Sequence, residues 1–479
     1  MRDIVESALL SAKRAGASYV DVRILEREEE DISTKNGSVD ALKRSRTKGF
    51  GVRVIANGAW GFSSSFRLTP DEAERVAAEA VEIAKASSKT KIDDVSLADI
   101  EIYQDRVPQK VLINPFEVPV KKKINILLES DKLMRIPGVI VRKGSMFFSR
   151  EWKTFASSEG AYIEQERIVS GAGISAVATN GKEIQIRSYP SSFGGDYQRK
   201  GFELVEDAKF LENAERVANE AVALLSAKPC PSGRMDIILK GSQLALQVHE
   251  SMGHPAELDR VLGEEASFAG TSFLTPEKLG NFRYGSDLVN ITADATIPEA
   301  LGGFAYDDEG VKAKRIYLVK NGIFVGYLNS RETAKKLKLQ PMGAMRAQSW
   351  SFMPIIRMTS VNLEPGDKTL DELISGVEHG ILMDTNKSWS IDQNRLNFQF
   401  GTEIGWEIKN GKIQDMVKNP TYTGITYEFW RSCDGIANKD FWHVWGVPNC
   451  GKGEPMQVMQ VSHGVAPARF RNVQVGVLK

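Results

Sequence analysis

A two-domain α+β fold is predicted by three features of this 479-residue sequence. The chain is longer than one ordinary core, the first half carries a helix–meander–helix pattern twice, and the second half is a run of short strands broken by one apolar helix. A hydrophobic content of 42% with 26% charged residues is that of a globular protein able to bury a sizeable core.

The repeat is read from two amphipathic helices and the turns before them. Residues 73–85 are AERVAAEAVEIAK and residues 214–226 are AERVANEAVALLS. Upstream, GFGVRVIANG (49–58) matches GAGISAVATNG (171–181), and KNGSVDALKR (35–44) matches SEGAYIEQER (158–167). Asn-Gly and Glu-Gly between alternating runs are hairpin turns. The expected N-terminal domain is therefore 1–230, with repeats at about 1–90 and 116–228 and helices covering the apolar face of each sheet. The Pro/Gly/Ser-rich stretch 226–233 reads as a linker.

The expected C-terminal domain, 231–479, opens with a buried strand at 235–240 and a helix over 242–254, with Ser242 as its N-cap. Gly and Asn-Gly turns then separate short strands, and a helix over roughly 367–380 interrupts them.

Composition excludes several classes. With 62 basic and 62 acidic residues the net charge is zero, which argues against nucleic acid or an anionic membrane as partner. Three cysteines, Cys230, Cys433 and Cys450, make no disulfide framework. The first residues lack the layout of a signal peptide and no apolar run is long enough to span a bilayer, so the expected location is the cytoplasm.

Chemistry concentrates in SQLALQVHESMGH (242–254), an apolar helix that nevertheless carries His249, Glu250 and His254. Buried polar groups need strong partners, and a metal is one. The pattern is H-E-x-x-x-H, one residue longer than the zincin motif. Residues five apart on a regular helix point about 140° away from each other, which is poor geometry for one ion. Gly253 and Pro255 offer a way out. The helix is expected to end, or open into a π-type turn, at His254, with Pro255 pushing His254 off helical dihedrals. A catalytic zinc wants a third protein ligand and an open position. Glu257, Asp259, His463 (in an expected loop) and Cys450 are the candidates. Cys450 lies in a glycine-flanked polar stretch, PNCGKG (448–453), which suits a ligating thiolate. Cys433 has a milder setting in FWRSCDG. His379 reads as a helix C-terminal residue and His443 as packing within FWHVWG. The Trp and Phe cluster at 429–445 reads as core or pocket wall. Gly451-Lys452-Gly453 lacks the spacing of a phosphate loop.

HESMGHPAE (249–257), NPTYTGITYEFWRSCDGI (419–436) and WHVWGVPNCGKGEPMQ (442–457) together resemble the C-terminal half of the TldD family of microbial peptidases. YDDEG (306–310) and VGYLNSRETA (325–334) fit the same resemblance. It implies a zinc peptidase with His249, His254 and Cys450 as metal ligands and Glu250 as catalytic acid/base. It also implies a dimer, either of one chain or with a TldE (PmbA)-like paralogue that lacks the metal motif. The reaction expected is cleavage of unfolded or extended peptides by a metal-activated water with Glu250 as general base. Two alternatives remain: a non-catalytic peptide-binding or scaffolding subunit, which would dispense with the His-Glu pair, and a metal hydrolase of another amide.

Overall fold

The computed structural model describes residues 1–476. The two N-terminal repeats are present in matching order. Helix α1 (Arg2–Arg14), strands β1 (Tyr19–Lys35), β2 (Ser38–Ala56) and β3 (Ala59–Ser65) and helix α2 (Pro70–Ser87) form the first. After a short strand β4 (Gln104–Val107), the second follows with α3 (Val120–Leu133), β5 (Val139–Ser157), β6 (Tyr162–Thr179) and β7 (Ile184–Tyr189). It closes with β8 (Asp196–Gln198), α4 (Glu203–Asp207) and α5 (Phe210–Ser226). The hairpin turns fall where the sequence places them. Asn36, Gly37, Asn57 and Gly58 all adopt positive φ, the requirement of a two-residue turn that follows strand twist.

The repeats do not build separate sheets. Strand β1 pairs antiparallel with β5 from Asp21↔Ser157 to Lys35↔Lys143, which fuses both meanders into one eight-stranded sheet. Each repeat then covers its own stretch of it. Ile4, Val5 and Ala8 of α1 and Val76, Ala77 and Ala80 of α2 pack on Val22, Val52 and Val54. Leu127 of α3 and Val217 of α5 pack on Phe148 and Ile174. Glycine is required at Gly61, where a Cβ would lie 2.1 Å from the Ala80 carbonyl oxygen of the overlying helix.

The predicted linker is itself pinned: β9 (Lys228–Pro229) pairs with Lys412–Lys418, and the Cys230 amide donates to the Lys418 carbonyl at 2.9 Å. Strand β10 (Gly233–Leu239) runs parallel to His379–Ile391 and antiparallel to Ala468–Val475. Thr421–Ile425 and Asn397–Lys409 continue the order, and Asn397–Lys409 pairs back to His379–Ile391, closing a five-stranded ring. The helix expected over 367–380 is only Leu370–Ser375, capped by Thr369, and His379 begins a strand instead of ending a helix. No helix among the described residues is long and apolar enough to cross a membrane.

Buried charge joins the two halves. Arg53 of β2 binds Asp21 at 2.7 Å and reaches Glu309 at 3.4 Å, while Lys153 of β5 binds Asp308 at 2.7 Å. Burial alone would raise the Asp308 carboxyl, but Lys153, Arg23 and the Ala347 amide outweigh it and bring it down to about 2. A folded-state value below the unfolded one, about 3.9, contributes stability above about pH 4 that is lost as the pH falls through about 2. Asp308→Asn should therefore cost about 2–3 kcal/mol at neutral pH, and its deficit against the unaltered protein should shrink as the pH drops from 4 toward 2. Urea midpoints measured across that range check this, and a pH-independent deficit would refute it.

Candidate metal centre

The motif helix α6 (Gly241–Val248) is buried on nearly every side, so its polar side chains must find partners. Gln243 donates to the Tyr422 hydroxyl at 2.7 Å, and that hydroxyl donates to Gln247 at 2.8 Å. These bonds fix the helix against the ring. Ser242 is not its N-cap; that position is Lys240, and the Ser242 hydroxyl accepts from the Asn386 amide at 3.3 Å.

A π turn over His249–Gly253 follows α6 directly, so the helix widens at the first histidine and not at the second. The His254 amide donates to the His249 carbonyl, an i→i+5 bond that brings two residues five apart onto one side. Their rings meet edge-to-face with centroids 4.9 Å apart. His254 keeps helical dihedrals, φ −63° and ψ −45°, contrary to the expected effect of Pro255. Pro255 instead sits in a 3-10 turn, His254–Ala256. Gly253 is also helical, and its need for glycine is spatial: a Cβ would lie 2.2 Å from Met358 Sδ. Ser251 anchors the wide turn, its hydroxyl accepting from Trp430 Nε1 at 2.9 Å and its carbonyl from the Tyr284 hydroxyl at 2.8 Å.

Cys450 arrives from far along the chain. The predicted loop around it is the end of strand His443–Lys452, paired with Gln457–Val465, and a bulge between Val447 and Cys450 interrupts the ladder next to the thiol. His463 likewise lies in a strand. Arg357 fastens the hairpin by donating to the Cys450 carbonyl at 2.6 Å. Cys450 Sγ is 3.4 Å from His249 Nε2 and 3.6 Å from His254 Nε2, and all three side chains are buried.

The hydrogens of this cluster can be followed outward. His463 Nδ1 faces the Val361 carbonyl at 2.8 Å and must carry the proton. His463 Nε2 is then an acceptor, taking a hydrogen from His249 Nδ1 at 2.7 Å. His254 Nδ1 donates to Glu257 at 2.8 Å. Both Nε2 atoms are left bare and face the sulfur. Burial pushes His249, His254 and His463 down, toward the neutral form with a free lone pair. Burial alone would raise the Cys450 thiol, yet the Arg357 charge and then His254 outweigh it, and the net direction is down. A single thiol proton can satisfy one of the two bare nitrogens. A soft divalent cation satisfies both nitrogens and the sulfur at once, so the donor set fits zinc.

The other ligand candidates serve this cluster from outside. Glu257 and His463 hold the two histidines, and Asp259 is taken by an ion pair with Lys452. Cys433 is buried elsewhere, on strand Cys433–Ile436, its thiol pushed up to about 12 by burial. His443 is more than packing: it bonds Asp196 of β8 at 2.8 Å, and the Gly446 amide bonds the same carboxylate at 3.0 Å.

Glu250 faces the same cleft, about 300 Å³ in volume, and is ion-paired there to Arg395. Nothing in the sequence marked Arg395, because its role comes from a turn 145 residues away from Glu250. Its backbone is left-handed, φ +62°, with the Thr426 hydroxyl donating to its carbonyl at 2.8 Å. The N-terminal half also reaches the cleft, through the loop at 191–195.

Three family models match the chain: PmbA/TldA metallopeptidase domain 1 over residues 20–84, the central domain over 113–225 and the C-terminal domain over 232–477. A metalloprotease of Methanothermobacter thermautotrophicus is 32% identical over 458 residues, 96% of this chain and 95% of that protein. A protein of Saccharolobus solfataricus named zinc metalloprotease TldD homolog is 26% identical, covering 97% and 98% of the two chains. The solved structure of TldE from Thermococcus kodakarensis superposes with a TM-score of 0.76 at 17% identity, covering 99% of this chain and 100% of that one, which shows a shared fold. With its C-terminal half matched as one unit and a relative similar along almost its full length, the chain belongs to the PmbA/TldD family of metallopeptidases.

Proposed function

We propose that this chain is a zinc-dependent peptidase of unfolded or extended peptides, in which His249, His254 and Cys450 hold the metal and Glu250 is the general base. The observation that carries the reading is the convergence of two bare imidazole nitrogens and a sulfur whose surroundings account for every other hydrogen. When bound, the metal supplies Lewis acidity, lowering the pKa of a water toward neutrality and polarising the scissile carbonyl. Glu250 takes the proton of the attacking water and passes it to the leaving amine nitrogen. Arg395 holds the carboxylate through Oε2, which leaves Oε1 for the water. Among the described residues, strand His443–Lys452 pairs as a ladder with Gln457–Val465 alone; Asp196 and Gln198 take its other edge at Gly446 and Val444, and Trp445 to Gly451 line the cleft. An extended peptide lies along the cleft-lining stretch Val447 to Asn449, beyond the part that Asp196 and Gln198 cover, a mode that reads backbone and tolerates varied sequence. A binding-only subunit would have no use for a carboxylate held in this cleft. The chain works as two units, 1–230 and 231–479, with the cleft formed where they meet.

Glu250→Gln should retain one metal per chain and lose peptide cleavage by about 10²–10⁴-fold on a casein-like substrate. Near-normal turnover by this variant would remove Glu250 from the mechanism.

Cys450→Ala should lose the metal, whereas Cys433→Ala should keep it. His463→Ala, which frees His249 Nδ1, should hold metal about 10–100-fold more weakly against a competing chelator. Elemental analysis reads all three, and full metal content in Cys450→Ala would exclude the cysteine as a ligand.

The active particle is expected to be a dimer, either of this chain alone or with a TldE-like paralogue. Sedimentation of the purified chain with and without that paralogue tests this, and a fully active monomer contradicts it.

A further inference from the structure

We infer that the cleft carries a subsite for a bulky apolar side chain of the peptide, aromatic above all, formed by Phe193 from the N-terminal half and Trp389 from the C-terminal half. The inference rests on the peptidase reading of the same cleft and adds the substrate chemistry that it selects.

Both rings line the cavity that holds His249, Glu250, His254 and Cys450. Phe193 is 54% exposed and Trp389 46%, although each is large enough to dominate a core. A lone exposed aromatic is unremarkable, but these two meet. Their centroids are 5.4 Å apart at 89°, an edge-to-face contact that spans from one half of the chain to the other.

Backbone geometry points Phe193 outward at a cost. Its φ is +55°, left-handed for a bulky residue, while its ring stays about half exposed. Glycines on both sides let the loop pack closely against β6. A Cβ on Gly195 would lie 1.8 Å from the Ala172 carbonyl oxygen of β6, and one on Gly173 would lie 2.5 Å from Gly195 Cα. The loop is thus pressed flat on the sheet, with Ser191 and Ser192 buried, and Phe193 is its one bulky side chain left standing at the cleft.

Charge narrows the occupant. Among the described residues, Glu250 and Arg395 are the only carboxylate and guanidinium lining the cleft, and they are paired with each other. Leu246, Trp445 and Val447 make much of the remaining wall apolar. Among the described lining residues no unpaired carboxylate, lysine or arginine remains to meet a charged side chain, while an inserted ring gains edge and face contacts with both aromatics. Such side chains are accessible in unfolded chain and buried in folded proteins, so the subsite favours the former as substrate.

The test uses the metal-containing Glu250→Gln protein and three uncharged-ended decapeptides that differ only in a central Phe, Gly or Asp, followed by calorimetry and tryptophan fluorescence. The Phe peptide should bind at least roughly tenfold tighter than the other two. Trp389→Ala and Phe193→Gly, each added to that protein, should reduce the Phe peptide to the Gly peptide's affinity without changing metal content or the Gly peptide's own affinity. Equal affinities in the parent protein, no binding of any peptide, or a preference that survives both substitutions would overturn the subsite. Selective binding with no cleavage of the same peptides by the unaltered protein would instead overturn the peptidase reading and leave the subsite standing.

Discussion

Two histidines five residues apart can address one point only where their helix widens, and here the widening is a single backbone bond from the His254 amide to the His249 carbonyl. Much of the C-terminal half is arranged around that bond. A wide turn has poorer intrahelical bonding than a regular one, so its polar groups are held from outside, by Trp430 and Tyr284 on Ser251. Met358 packs so close to Gly253 that only glycine fits, which keeps the turn from relaxing toward that side. Pro255 is tolerated just after it because proline brings no amide hydrogen that the disturbed ladder would need to satisfy.

The same logic of satisfied hydrogens runs outward from the turn. Each imidazole in contact with the sulfur is oriented by a partner on its far nitrogen, His463 for one and Glu257 for the other. Those partners are themselves fixed, His463 by the Val361 carbonyl and Glu257 by its closeness to Arg357. Arg357 also binds the carbonyl of Cys450, so one buried cation lies close to both the helix end and the hairpin that bring the three donor atoms together. A buried arginine in this place lowers the thiol as well as positioning it.

The N-terminal half supplies none of these donor atoms, yet the cleft is incomplete without it. Arg53 and Lys153 reach across to the acidic run at 307–309, and Asp196 grips the cleft-lining hairpin through His443 and Gly446. Truncating one partner of a buried charged pair leaves the other uncompensated, so these contacts hold the two halves in register. That register is what sets Phe193 against Trp389.

Periodicity and turn chemistry were enough to read the duplicated helix–meander units, the strand-rich second half and the buried helix carrying His249, Glu250 and His254, because each is a local pattern of at most a few dozen residues. The spacing of the histidines also announced that the helix must either end or widen. Where it widens, whether Gly253 is needed for its dihedrals or for space, and whether Cys450 and His463 lie in loops or strands depend on neighbours such as Met358 and the hairpin partner strand, which no local window contains. Fusion of the two meanders through β1 and β5 is equally invisible, since either edge could have been left bare. Arg395 is the extreme case: an arginine in an unmarked turn, brought against Glu250 by strands that close a ring. The sequence by itself determined which residues carry the chemistry-bearing atoms, since composition and spacing are properties of the chain. Only the tertiary structure decided which of those atoms share one point, because convergence of groups some 200 residues apart is set by packing and not by any local preference.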